Sequence, residues 1–154
     1  MQLQLQYDFV KSSRKVLLEY CTKISDADFI SESSSFGRGS IRNLLVHVGN
    51  TYEFWIGKHA LALDMNFTEY ITVTNALHAR DYFQSIDKLV ATFIECFSAT
   101  CFNDLVINTG GRTVIASPFK LFSHVITHEF HHKGQVLSLS RHLGYTPVDT
   151  DIIR

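Results

Sequence analysis

Long segments without proline, in which apolar residues recur every three or four positions, constrain this fold more than any other feature. Only Pro118 and Pro147 interrupt the 154 residues. In the first segment this spacing predicts a long α-helix, because a helix brings such positions to one face. Arg14 falls on the same face, where it would either extend its charge to solvent or pair with a carboxylate of a functional site. The apolar positions of this face are Leu3, Tyr7, Val10, Leu17, Cys21 and Ile24.

Two further segments have the same helical spacing. The second helix is predicted over residues 41–63, with Ser40 as its N-cap, and the third over residues 75–98, with Thr74 as its N-cap. The positions expected to face inward are Ile41, Leu44, Val48, Tyr52 and Trp55 on the second helix, and Leu77, Tyr82, Ile86, Leu89, Val90, Phe93 and Phe97 on the third.

The remaining segments complete a helical domain. A polar run over residues 31–40 reads as a loop, and β-branched residues flank Gly110 and Gly111 within residues 105–117, which predicts a short extended or hairpin connection. The fourth helix is predicted over residues 118–143, because proline suits a first helical turn and glycine suits the position after a helix end. The sequence therefore predicts a single all-α domain over residues 1–154, a four-helix bundle.

The charge and cysteine content weigh against several classes of protein. Fourteen basic and fifteen acidic side chains give a net charge of -1, which offers no broad attraction to nucleic acid or anionic lipid. The three cysteines are odd in number and form no C-x-x-C pair, so we expect a reducing compartment and no thiolate zinc site. The chain also shows neither a signal peptide nor an apolar window of membrane-spanning length. We therefore expect a cytoplasmic protein that binds neither nucleic acid nor membranes.

Histidines are concentrated in the predicted fourth helix. His124, His128 and His132 are spaced four residues apart and lie near one face. The outer two are about 12 Å apart along the axis, whereas a zinc–nitrogen bond is about 2.0–2.1 Å, so one ion reaches only an adjacent pair. Either pair needs a ligand from another helix, and His47, predicted to be partly buried, is the best donor. Three histidines from two helices leave coordination positions open, which is typical of catalytic sites.

The run HEFHH, residues 128–132, also matches the H-E-x-x-H motif of zinc peptidases, in which the glutamate is the general base. The longer form of that motif fails, because Gln135 and Ser138 stand where it requires glycine and histidine. No glutamate follows Glu129 to supply a third ligand, and the chain has little sheet to form a peptide groove. A zinc peptidase is therefore the weaker alternative.

Two motifs resemble those of the DinB/YfiT-like family of small metal-binding four-helix proteins. The segment HVITHEFHHKGQVLSLSRHLGYTPVDTD, residues 124–151, is similar to the family's C-terminal signature, and IRNLLVHVGNTYEFW, residues 41–55, is similar to its second-helix motif. The sequence departs from the family at Lys133, where arginine is usual. That change keeps the charge but loses the planar fork of the guanidinium.

This resemblance implies a ligand set and a type of chemistry. The metal ligands fall on His47, His128 and His132, which makes His124 a neighbour, and the metal is zinc or nickel. Characterised relatives are metal-dependent and often dimeric, and several use a low-molecular-weight thiol such as bacillithiol, mycothiol or glutathione. The resemblance thus implies a homodimeric enzyme in which the metal activates a thiol or water for S-transfer or hydrolysis.

Two questions stay open at this level. Gln135 and Glu129 are the candidates for orienting the metal ligands, and no general base can be assigned. The main alternative is a non-catalytic metal-binding bundle that acts as an interaction protein.

Overall fold

The computed structural model describes residues 2–33 and 35–154. Met1 and Ser34, the latter inside the predicted loop 31–40, lie outside the described residues. In chain order the elements are α1 (Gln2–Cys21), α2 (Asp26–Ile30), α3 (Ile41–Tyr52), a π-helix (Glu53–Ala60), a 3₁₀ turn (Tyr70–Thr72), α4 (Ala76–Phe97), β1 (Leu105–Asn108), β2 (Thr113–Ala116) and α5 (Pro118–His142). The prediction of an all-α fold with a short hairpin before the last long helix is confirmed.

The core lies between the four long helices. Helix α3 packs against α4 and α5, and α1 packs against α4. Most positions predicted to face inward are buried or half-buried, but the prediction is wrong for Leu77, which is 57% exposed. The buried face of α4 passes through Ala76, Ala79 and Phe83, and Leu77 lies on another side of its first turn. No helix within residues 2–33 and 35–154 is both long and apolar enough to cross a membrane.

Side-chain caps define where the helices begin. The hydroxyl of Ser40 accepts a hydrogen bond from the backbone N–H of Asn43 (3.1 Å), as predicted for this N-cap. The cap of α4 is Asn75 rather than the predicted Thr74, because the Asn75 side chain accepts from the N–H of His78 (3.0 Å). Asparagine is the stronger capping residue, and the helix starts one residue later as a result.

The second predicted helix differs from the structure in its last two turns. It was predicted to continue to residue 63, but α3 ends at Tyr52 and a π-helix follows to Ala60. A π-helix contains more residues per turn, so it turns successive side chains to new directions and is frequent at functional sites. Here it brings the ring of Phe54 to 5.0 Å from Trp55 and 4.5 Å from His59, between centroids.

The hairpin and the last turn follow the predicted signals. Strands β1 and β2 pair antiparallel, with Leu105 opposite Ala116 and Asn108 opposite Thr113. Gly144 follows the end of α5 with a φ of 93°, a backbone conformation that glycine adopts at little cost. The sequence signals at Pro118 and Gly144 thus mark the two ends of helix α5.

A close contact between α3 and α4 makes a prediction for Gly49. A Cβ at this residue would lie 2.3 Å from Cε1 of Tyr82. We expect Gly49→Ala to lower the free energy of unfolding by about 1–3 kcal/mol, as overpacking does. Gly134→Ala is the matched control, because its Cβ would meet nothing within 4 Å, and we expect it to stabilise helix α5 by about 0.5–1 kcal/mol. Urea unfolding measures both, and equal effects would contradict the prediction.

Candidate metal centre

Two neighbouring helices bring together the three histidines that the family resemblance indicated. Helix α3 carries His47, helix α5 carries His128 and His132, and the two helices pack directly against each other. Each histidine lies at the border of an apolar helix face, so its ring is at least half-buried while one side remains reachable. His132 is the most buried of the three.

The imidazoles are close enough to serve one ion. Nitrogen atoms, one from each ring, all lie within 4.8 Å of one another. Nε2 of His128 and Nε2 of His132 are 3.1 Å apart, and the centroid of the His47 ring is 4.9 Å from that of His128 and 4.8 Å from that of His132. Two nitrogens bound to one zinc lie at most about 4.2 Å apart, so small ring rotations bring all three within reach.

The electrostatic surroundings keep these rings neutral at pH 7, which is the state that binds a metal. Burial, followed by the charge of Arg38 and the nearby ring of His132, lowers the pKa of His47 to about 4. Burial and the neighbouring histidines lower the pKa of His128 to about 3. Burial also lowers the pKa of His132. Metal ions therefore meet little competition from protons at this cluster.

Gln135 determines which ring nitrogen of His132 has a lone pair available for a metal ion. Nδ1 of His132 lies 2.6 Å from the amide oxygen of Gln135, an atom that only accepts hydrogen bonds. The proton therefore sits on Nδ1, and Nε2 presents its lone pair to the other two rings. Partners of this kind are usual for histidines that bind metals. Gln135 is thus in direct contact with one of the three histidines, and its role in orienting that ring as a metal ligand stays a prediction.

The donor set fits a divalent cation such as zinc or nickel. Three neutral imidazoles are suitable ligands for either metal. Nε2 of His128 faces Nε2 of His132 (3.1 Å) and is the atom placed to bind such an ion. Its Nδ1 is buried and, within the described residues, has no hydrogen-bond partner, so a water is expected beside it.

The other histidines lie outside this three-histidine group. His124 is exposed and packs against the ring of Trp55 at 5.7 Å between centroids. His131 is exposed, and its Nε2 is 3.2 Å from Nε2 of Gln135. Of the two pairs that the spacing left open, the structure brings His128 and His132, rather than His124 and His128, together with His47.

Glu129 lies on the core-facing side of α5, at 1% exposure. Its Oε1 accepts from Nε of Arg14 (2.9 Å) and lies 3.1 Å from Nζ of Lys133. Its Oε2 accepts from Nη2 of Arg14 (2.9 Å) and from the hydroxyl of Tyr52 (2.7 Å). Arg14 also donates to Asp87 (2.6 Å). We call Glu129, Arg14, Lys133, Tyr52 and Asp87 the Glu129 cluster.

The contacts within the Glu129 cluster determine the charge of the Glu129 carboxylate and its availability as a proton acceptor. Burial alone would raise the pKa of its carboxyl, but Arg14 and Lys133 outweigh burial and hold the pKa at about 2. Both oxygens already accept two contacts each, so the carboxylate has no free position for a substrate proton. Glu129 therefore does not contact the three imidazoles, and it lacks the accessibility that a general base of a zinc peptidase requires.

Arg38 is a residue of the site that the sequence analysis did not identify. Its Nη2 lies 3.2 Å from Nε2 of His47. The residue belongs to the polar run 31–40, which has no periodicity. A loop residue of this kind gives no spacing signal that relates it to a helix face.

The contact between Gln135 and His132 predicts a measurable loss of metal affinity. We expect Gln135→Ala to weaken binding of zinc by about 10–100-fold, as the loss of a residue that orients a ligand generally does. Gln135→Glu, which keeps an acceptor oxygen, should retain most of the affinity. Competition with a chromophoric chelator measures both variants. Equal affinities for wild type and Gln135→Ala would show that Gln135 does not orient His132.

Comparison with known proteins agrees with this architecture. The sequence model of the DinB family matches residues 1–154, whereas the curated proteins gave no match. Among solved structures, the crystal structure of the DinB-like protein YjoA from Bacillus subtilis superimposes with a TM-score of 0.63 at 20% identity, covering 92% of this chain and 95% of that chain. At this identity the superposition shows the fold alone. Because the family match spans all 154 residues, the chain belongs to the DinB family.

Proposed function

We propose that this protein is a metal-dependent enzyme that acts on a small molecule, by S-transfer or by hydrolysis. His47, His128 and His132 hold the divalent cation, zinc or nickel. One observation carries the proposal: three imidazoles from two helices converge within 4.8 Å, and among the described residues no carboxylate or thiolate joins them. Three protein ligands leave room for a substrate atom, whereas structural zinc sites are closed by four.

The ion, when bound, supplies Lewis acidity and lowers the pKa of a thiol or water beside it. The chain's own residues prepare the site. Gln135 holds Nε2 of His132 ready as a ligand, and the low pKa of His128 keeps that ring unprotonated. The reacting molecule in this proposal is either a low-molecular-weight thiol or water.

A cleft beside the site is the proposed place for the substrate. It has a volume of about 210 Å³ and is lined by His124, whose ring centroid lies 5.9 Å from that of His128; the three histidines themselves do not line it. Trp55 and Leu121 supply apolar surface, and Arg112 and Lys120 supply positive charge. Pockets that combine apolar walls with a few polar groups are typical of small-molecule sites. We also propose that the substrate is a small molecule and that the protein acts as a homodimer.

A second candidate is a non-catalytic bundle whose metal only joins α3 to α5. The arrangement of Glu129 favours this candidate, because the carboxylate nearest in sequence to the histidines is committed to the core. Within the described residues the histidine group contains no carboxylate that could serve as a general base.

The visible spectrum of cobalt separates the two candidates. Protein freed of metal is loaded with Co²⁺, and thiols are then added to wild type and to His47→Ala. An enzyme with an open site gives a new sulfur-to-cobalt absorption band in wild type that His47→Ala lacks. If no thiol changes the spectrum of the loaded wild-type protein, the thiol-transfer reaction is excluded, and hydrolysis and the non-catalytic bundle are left.

A further inference from the structure

Arg38 is anchored through its backbone while its side chain reaches the three histidines. The carbonyl oxygen of Arg38 accepts a hydrogen bond from Nδ2 of Asn43 (2.9 Å), and the following N-cap at Ser40 fixes the start of α3. The guanidinium extends from this fixed point to Nε2 of His47, 3.2 Å away. The charge is therefore positioned at the site, although the side chain is exposed to solvent.

The charge of Arg38 has no acidic partner among the described residues. The ion pairs of this part of the chain involve other groups: Glu32 lies 3.8 Å from Arg42 and accepts from Nδ2 of Asn43 (3.3 Å). The contact that Arg38 makes at the site is to a neutral imidazole nitrogen, which is a weak partner for a guanidinium compared with a carboxylate. An arginine in this state is suited to a ligand that brings its own anionic oxygens.

A cation at the three histidines changes the role of Arg38. The guanidinium contacts the lone pair of His47, so it competes with any ion that uses that nitrogen. Once an ion is present, two positive groups lie close together and repel each other. An anion held between them would relieve this repulsion, and arginine binds carboxylates in a bidentate manner through its planar fork.

We infer that Arg38 is the anion-binding residue of this site, and that the molecule bound there is a thiol that carries a carboxylate. The inference rests on the proposed function. The thiol end of the ligand points to His47, His128 and His132, and its carboxylate is paired with Arg38. Because Arg38 touches one of the three rings directly, only a short linker separates the two ends of the ligand.

Two thiols that differ by one carboxylate test this inference. Protein loaded with Co²⁺ is titrated with mercaptoacetate and with 2-mercaptoethanol, and the sulfur-to-cobalt absorption band reports binding. We expect wild type to prefer mercaptoacetate by about 10-fold or more, the effect of one hydrogen bond to a charged group. Arg38→Gln should lose this preference, and Arg38→Lys should keep part of it.

Arg42→Gln is the matched control, because Arg42 is the neighbouring arginine and pairs with Glu32 rather than with a histidine. It should keep the wild-type preference for mercaptoacetate. A preference that persists in Arg38→Gln would come from chelation of cobalt by mercaptoacetate itself, and that result would overturn the inference.

Metal affinity gives a second, independent readout. In the absence of thiols we expect Arg38→Gln to bind Co²⁺ more tightly than wild type, since neither competition nor repulsion remains. A merely structural Arg38 would give unchanged or weaker binding, which contradicts the inference. If wild type bound no metal, the proposed function and this inference would both be wrong; if it bound metal and thiols without any effect of Arg38, only the inference would be wrong.

Discussion

Replacing Glu129 with glutamine is expected to lower the free energy of unfolding by about 3–5 kcal/mol, the usual cost of breaking a buried ion pair. Arg14 and Lys133 are each 3% exposed; Lys133 pairs with this carboxylate, and Arg14 pairs with it and with Asp87. Glutamine has nearly the same shape, so the loss is one of charge rather than of packing. For a chain of this size each kcal/mol shifts the melting temperature by about 2–4 °C, which gives a decrease of about 6–20 °C.

A surface ion pair supplies the control for this prediction. Lys15 and Glu19 lie 3.8 Å apart, with side chains 77% and 57% exposed. Glu19→Gln should therefore change the free energy of unfolding by less than about 1 kcal/mol. Calorimetry on both variants gives the comparison. A melting temperature for Glu129→Gln close to that of Glu19→Gln would show that the Glu129 cluster does not stabilise the fold.

Replacing any of His47, His128 or His132 with alanine is expected to remove most of the bound metal. Each variant leaves two imidazoles, and the affinity should fall by at least about 100-fold, since loss of a group that merely orients a ligand already costs about 10–100-fold. The three side chains lie at the edge of the core, so the variants should remain folded. Elemental analysis after dialysis measures the metal content, and circular dichroism checks the fold.

His124→Ala and His131→Ala are the matched controls, because both residues are exposed histidines on the same helix. They lie outside the three-histidine group and should retain the metal. Full metal content in His47→Ala would mean that α5 binds the ion without α3. Loss of metal in His124→Ala would mean that His124 is itself a ligand.

The periodicity of apolar residues was sufficient to predict the bundle, but it could not predict local changes of helix type. Tyr52 and Trp55 continue one helical face in the sequence, yet the chain changes to a π-helix between them. A difference of about one residue per turn is too small to be read from a segment of eight residues. The short helix α2, capped by Ser25, also escaped the pattern because five residues contain barely more than one turn.

Prediction of the candidate site depended on two kinds of information. Helix geometry limited the ligands to adjacent pairs around His128, and the family resemblance selected His132 as its partner. The partners of Arg14 could not be predicted, because Glu129 is 115 residues away in sequence. The place of Arg14 on an apolar face left open whether its charge reaches solvent or pairs with a carboxylate, and only packing of α1 on α5 shows that Glu129 is a partner. Arg38 gave no periodic signal, since it lies in a loop.

Anomalous X-ray diffraction from crystals grown with zinc, recorded at the zinc absorption edge, tests the central claim most directly. The account predicts one strong peak within about 2.0–2.1 Å of a nitrogen from each of His47, His128 and His132. A peak at His124, at His131 or at a cysteine, with none among these three rings, would contradict it.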